Sequence, residues 1–237
     1  MNALNDGPLG PNAMDLDAAA LAVARRAQSG ATIWCAAPEL PRLAAEMAEV
    51  LSSAKTAGNR PISTLVIDGP LLDCLRARVS AGDVLVVSAR ANDPAVVGLR
   101  QRAAAWGLLT IWIAPGERPA AGAADYVLCL DEKMDSSCGS PLAAVSQALA
   151  LGLADYLKHP ELVDTEQPEC NEEVCITCSD EGRLGEVVAL YPDGQAQIRT
   201  PVGLETVDTS LIDDAHPGDL VLVHAGSVLS RVEEESL

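Results

Sequence analysis

The sequence predicts an α/β protein carrying a small all-β domain at its C-terminal end: a doubly wound parallel sheet followed by an OB-like β-barrel. Three observations predict it. Short apolar runs alternate with helix-period segments through most of the 237 residues. The final stretch instead holds closely spaced turn signals between short strand-like runs. Charge divides the same way: residues 164–237 hold 3 basic and 17 acidic side chains, whereas residues 1–163 hold 13 and 17. Such asymmetry marks two surfaces of different character.

Residues 1–14 are polar, with Gly and Pro, and read as a disordered lead-in. Residues 16–28 have helical spacing and stop at Gly30; residues 31–35 form a short apolar strand. An amphipathic helix is expected over 39–53, with Leu40, Leu43, Met47 and Leu51 on one face. A strand over 63–67, a helix over 71–79 and a continuous buried strand over 83–88 follow. Pro94 opens a helix over 94–106, ahead of strands over 108–113 and 126–130. The last helix, 141–157, is apolar nearly all round, with Ser140 as N-cap and Pro141 at its first position. Such a helix lies centrally in its domain or seals a subunit contact.

Strands that are apolar throughout, separated by helices, imply a parallel sheet covered on both faces, with right-handed crossovers. Function in such sheets sits at the carboxyl ends of the strands, here residues 35–38 and 88–94. The predicted organisation is an α/β domain over 15–158, an acidic proline-containing linker over 159–173, and the barrel over 174–237. Within the barrel, strands are expected over 185–190 and 195–200, joined by the Tyr-Pro-Asp-Gly turn of 191–194. Residues 205–208 alternate, and His216-Pro217-Gly218-Asp219 turns the chain into a strand over 220–225.

Composition excludes several function classes. Hydrophobic residues make up 49% and aromatics 3%, with no Phe, so the core is built from Leu, Val, Ile and Ala. A formal charge of -18 argues against nucleic acid, whose phosphates need clustered Lys and Arg, and against anionic membrane. No apolar run reaches membrane-spanning length, and no signal peptide is evident. The expectation is a cytoplasmic protein with reduced thiols. The acidic half serves solubility or attracts a basic partner.

Cys35, Cys74 and Cys129 lie in apolar runs and read as core fillers. The chemistry is expected instead from Cys175-Ile176-Thr177-Cys178 at the start of the barrel segment and His224 near its end. Thiolate and imidazole suit iron in a low oxidation state. Glu172, Glu173, Asp180 and Glu181 oppose a low thiol pKa, so a bound cation helps this pair more than activation alone. Other readings stay open. Cys-x-x-Cys also serves thiol oxidoreductases, although there it joins a strand to a helix. Cys170, Cys175 and Cys178 have the Cys-x4-Cys-x2-Cys spacing of plant-type clusters, so zinc or an iron–sulfur cluster is a further reading, with the fourth ligand to come from Cys138 or elsewhere. The cysteines can also be incidental. His224 reads equally as a strand-end core residue capping a turn carbonyl. His159 and His216, in linker and turn, are assigned no chemistry.

Two resemblances add to this reading. Residues 81–88, the loop and helix after them, Gly107 to Ile113, and Ala124-Asp125-Tyr126-Val127-Leu128 resemble a SIS (sugar isomerase) domain, over about residues 15–157. The resemblance implies a phosphosugar bound by Gly- and Ser-rich loops and helix N-termini, and dimerisation. The chain departs at those loops: Ala36-Ala37-Pro38 stands at the first tip. The second keeps Ser88 but continues Ala89-Arg90-Ala91-Asn92, and the final helix lacks the histidine of the sedoheptulose-phosphate isomerase subgroup. Ser88, Arg90 and Asn92 are therefore marked as a degenerate phosphosugar site, with isomerase activity lost.

Residues 174–234 resemble the HypC/HupF family of [NiFe]-hydrogenase maturation chaperones. The matching residues are Val174-Cys175-Ile176, Gly194-Gln195-Ala196, the string from Pro217-Gly218-Asp219 to Val223-His224-Ala225-Gly226, and residues 229–234. The resemblance implies a metallochaperone without catalytic turnover. With HypD it holds iron carrying two cyanides and one carbonyl, the Fe(CN)2CO fragment, transiently. It then delivers that iron to the hydrogenase large-subunit precursor. On this sequence the family's cysteine falls on Cys175, with His224 the second anchor and Cys178 an additional thiol. Cys175 is internal here, whereas the family's cysteine follows the initiator Met, and the usual Cys-x-x-Pro-Gly opening is absent. The alternative function is a phosphosugar isomerase or phosphosugar-binding protein acting through the first domain.

Overall fold

The computed structural model describes residues 13–54, 62–67, 69–130, 141–163 and 182–233. They divide into two compact units. One holds a parallel sheet and most of the helices. The other holds the C-terminal strands together with residues 79–82 and 98–108, which sequence order had assigned to the α/β domain. Each unit is described by itself.

The sheet consists of β1 (Ile33–Ala36), β2 (Thr64–Val66), β3 (Val84–Ser88), β4 (Leu109–Pro115) and β5 (Tyr126–Leu130), in the order β2-β1-β3-β4-β5. Every neighbour pair is parallel, as the apolar runs predict. Alternate residues face opposite sides. Ile33, Cys35, Val84, Val86, Ile111, Ile113 and Leu128 join a core with α1 (Ala13–Gln28), α2 (Pro41–Ser52) and α6 (Pro141–Lys158). Trp34, Leu85, Val87 and Trp112 are buried on the other side, where Arg78 at the end of α3 (Leu71–Arg78) stacks 5.0 Å over the Trp34 ring. The sheet is thus covered on both faces. At its amino end, the buried Asp83 carboxylate accepts Thr32 N–H and Trp34 Nε1–H, both at 2.9 Å, which fixes β3 against β1.

The last helix resolves one sequence alternative. α6 packs on α1 and α2 and buries Val145, Leu149, Leu153 and Leu157, so it is a core helix of its unit, although Leu151 is 64% exposed. Two expectations need correction. The helix expected over 94–106 is two pieces, α4 (Pro94–Val97) and α5 (Arg100–Ala105). Asp93 caps the first through Ala95 N–H at 2.9 Å, and Gly98, costly inside a helix, stands in the break. The start of the expected linker is helical: α7 (Pro160–Val163) buries Val163 and accepts Arg25 Nε–H at the Val163 carbonyl, 3.2 Å. Among the described residues, no helix is long and apolar enough to cross a membrane.

The second unit is a closed five-stranded barrel, as predicted, built from β6 (Arg183–Leu190), β7 (Gln195–Thr200), β8 (Gly203–Asp208), β9 (Leu220–His224) and β10 (Ser227–Val232) in the order β10-β8-β7-β6-β9. β10 has no counterpart among the expected strands, yet the barrel cannot close without it. Val187, Ala196, Ile198, Val207, Val221, Val223 and Val228 fill the interior; small branched side chains suit so narrow a barrel. Bulges in β6 after Val187 and in β10 after Val228 bend the strands into closure. Gly185 lies in the tightest place: a Cβ there would stand 2.4 Å from Ile198 Cγ2.

Candidate functional site at the barrel lip

The site builds from strand register. β9 alternates around its buried Val221 and Val223, which leaves His224 half-buried at the strand end on the outward side. The chain then reverses through Ala225 and Gly226, with φ of 48° and 79°. Two central residues at positive φ make the tight turn that matches strand twist in a two-residue hairpin. Ala225 bears a Cβ there, so this conformation is strained. It persists because both sides are tied down: His224 pairs with Ser227, and the Gly226 carbonyl accepts Asp208 N–H at 2.9 Å.

Cross-strand partners share a face. Gln195 pairs with Asp208, Asp208 with Ser227, and Ser227 with His224. An amide, a carboxylate, a hydroxyl and an imidazole therefore form one row around this lip. The Ser210 hydroxyl and N–H hold the Asp208 carboxyl below its ordinary pKa, the N–H at 2.7 Å, so the row carries a negative charge. β6 enters beside it: Arg183 pairs with Val223, which puts Gly182 level with His224. Arg183 reaches Glu205 at 2.8 Å, and Thr200 Oγ1–H donates to the same carboxylate at 2.5 Å.

The Pro-Gly-Asp turn at the other end of β9 is locked by its own groups. The Asp219 carboxylate accepts His216 N–H at 2.9 Å and pairs with Arg231 Nε at 3.2 Å. Gly218 N–H donates to the Val187 carbonyl at 2.7 Å. Arg231 also donates to the carbonyls of Asp213 and Asp214. His216 thus serves through its backbone, while His159 forms an exposed pair with Glu161 at 3.1 Å.

One buried network escaped the sequence reading. Glu186 of β6 is 2% exposed. Its carboxylate takes Arg102 Nη1–H at 2.6 Å and Trp106 Nε1–H at 2.6 Å, and Arg102 also donates to the Gly218 carbonyl at 2.9 Å. Arg102 and Trp106 lie on and just after α5, one helical turn apart, so a single segment caps both carboxylate oxygens. Gly107, at φ 68°, lets that segment pass Pro201: a Cβ there would stand 2.8 Å from the Pro201 Cα. In sequence Trp106 follows Arg102 by four residues, and the Glu186 partner lies 80 or more residues away.

Cys175 and Cys178, predicted to hold iron, lie outside the described residues, as do Cys138 and Cys170. Among the described residues, no three His, Cys, Asp or Glu side chains group as metal ligands. Cys35 is buried, and burial pushes its thiol up to about 12, as a core filler requires. Cys74 and Cys129 are only half-buried. At the carboxyl end of the sheet, Ser88 is buried, Asn92 is exposed, and the Arg90 guanidinium lies 3.6 Å from the Glu39 carboxylate. Any anion at that tip competes with Glu39 for Arg90.

The HupF/HypC family model matches residues 184–237, from the second residue of β6 onward. Among solved structures, the chain is similar to a phosphoheptose isomerase from Francisella tularensis (15% identity over 67% of this chain and 88% of that one, TM-score 0.45). It is also similar to a phosphoheptose isomerase from Neisseria gonorrhoeae (15%, 61% and 85%, TM-score 0.43). A third is the sugar isomerase domain of an RpiR transcription factor from Sphaerobacter thermophilus (19%, 63% and 88%, TM-score 0.39). No curated protein matches the chain. The resemblance to HupF/HypC read from the sequence is matched by the family model over 184–237.

Proposed function

We propose that this chain is a carrier and chaperone in [NiFe]-hydrogenase maturation, without catalytic turnover of its own. It takes iron carrying two cyanides and one carbonyl as cargo, shares it with HypD, and passes it to the hydrogenase large-subunit precursor. The observation that carries the reading is the coincidence of a closed barrel with the HupF/HypC match over 184–237. The register adds support, because Gly182, the residue before β6, is level with His224. In sequence, Cys178 lies four positions and Cys175 seven positions before Gly182.

In this reading Cys175 supplies the thiolate that holds iron, with His224 and Cys178 as further ligands. Soft thiolate and imidazole suit that metal. The cation's charge lowers the thiol pKa that the acidic neighbours raise, and Asp208 adds attraction at the lip. The α/β unit is assigned to dimerisation or partner docking, and its phosphosugar chemistry is lost. The test is maturation in cells. Cys175→Ala is expected to abolish hydrogenase activity while the protein accumulates and melts normally, and His224→Ala to lower it. Normal maturation with Cys175→Ala rejects the carrier role.

A further inference from the structure

We draw no further inference here: the strongest candidate, the polar cluster of Arg183, Thr200 and Glu205 at the barrel lip, in which the buried Arg183 Nε–H meets no acceptor among the described residues, belongs to the site already described, and nothing in the structure shows what that donor would bind.

Discussion

Replacing Arg102 with Met removes the guanidinium from a carboxylate that is 2% exposed, in a pair whose arginine side chain is 10% exposed. Breaking a buried pair from one side costs ~3–5 kcal/mol, because the remaining charge stays out of water. Trp106 Nε1–H still holds Glu186 at 2.6 Å, which places the loss at the lower end, about 3 kcal/mol. With a urea dependence of about 1–3 kcal/mol per molar, the midpoint of barrel unfolding falls by roughly 1–3 M. The double variant Arg102→Met, Glu186→Leu removes both charges and recovers ~1–2 kcal/mol of that loss. It stays short of wild type by ~1–2 kcal/mol for the Trp106 donor left without its acceptor. The assay is urea unfolding followed by amide resonances of β6 and β9. A single variant that loses under ~1 kcal/mol, or a double variant no better than the single, refutes the view that α5 is part of the barrel's fold.

Three further outcomes follow from the same geometry. Gly185→Ala drives a methyl group to 2.4 Å from Ile198 Cγ2 and is expected to destabilise the barrel by about 1–3 kcal/mol in thermal melting; an unchanged melt contradicts the packing. Ala225→Asn keeps the turn with a residue that tolerates positive φ, and is expected to stabilise by about 1 kcal/mol, read as a higher melting temperature. Cys35, its thiol pushed up to about 12 by burial, is expected to resist iodoacetamide at pH 8 in the native protein while Cys74 is labelled; mass spectrometry of the digest reads the difference, and equal labelling contradicts the burial.

The sheet was legible because its strands are apolar on both faces, which only a doubly covered sheet tolerates. The barrel's hairpin was legible from Tyr-Pro-Asp-Gly, whose turn chemistry is local. β10 was not, because Val228 is its one buried residue and the rest of the strand is half or fully exposed; a closing strand of that kind carries little pattern. The break at Gly98 was missed because helical spacing runs on through it. The pairing of Arg102 and Trp106 with Glu186 is set by tertiary contact across some 80 residues, and no local pattern encodes it. His224 was found through its family-like string, but its place on the outward row came from the burial of Val221 and Val223 on either side of Leu222.

The carrier reading is tested most directly by the infrared spectrum of the full chain purified anaerobically with HypD. The account predicts cyanide and carbonyl stretching bands from iron, present with the wild-type chain and absent with Cys175→Ala. A HypD complex without those bands, or a chain that ignores HypD and binds a sugar phosphate beside Ser88 and Arg90, contradicts it.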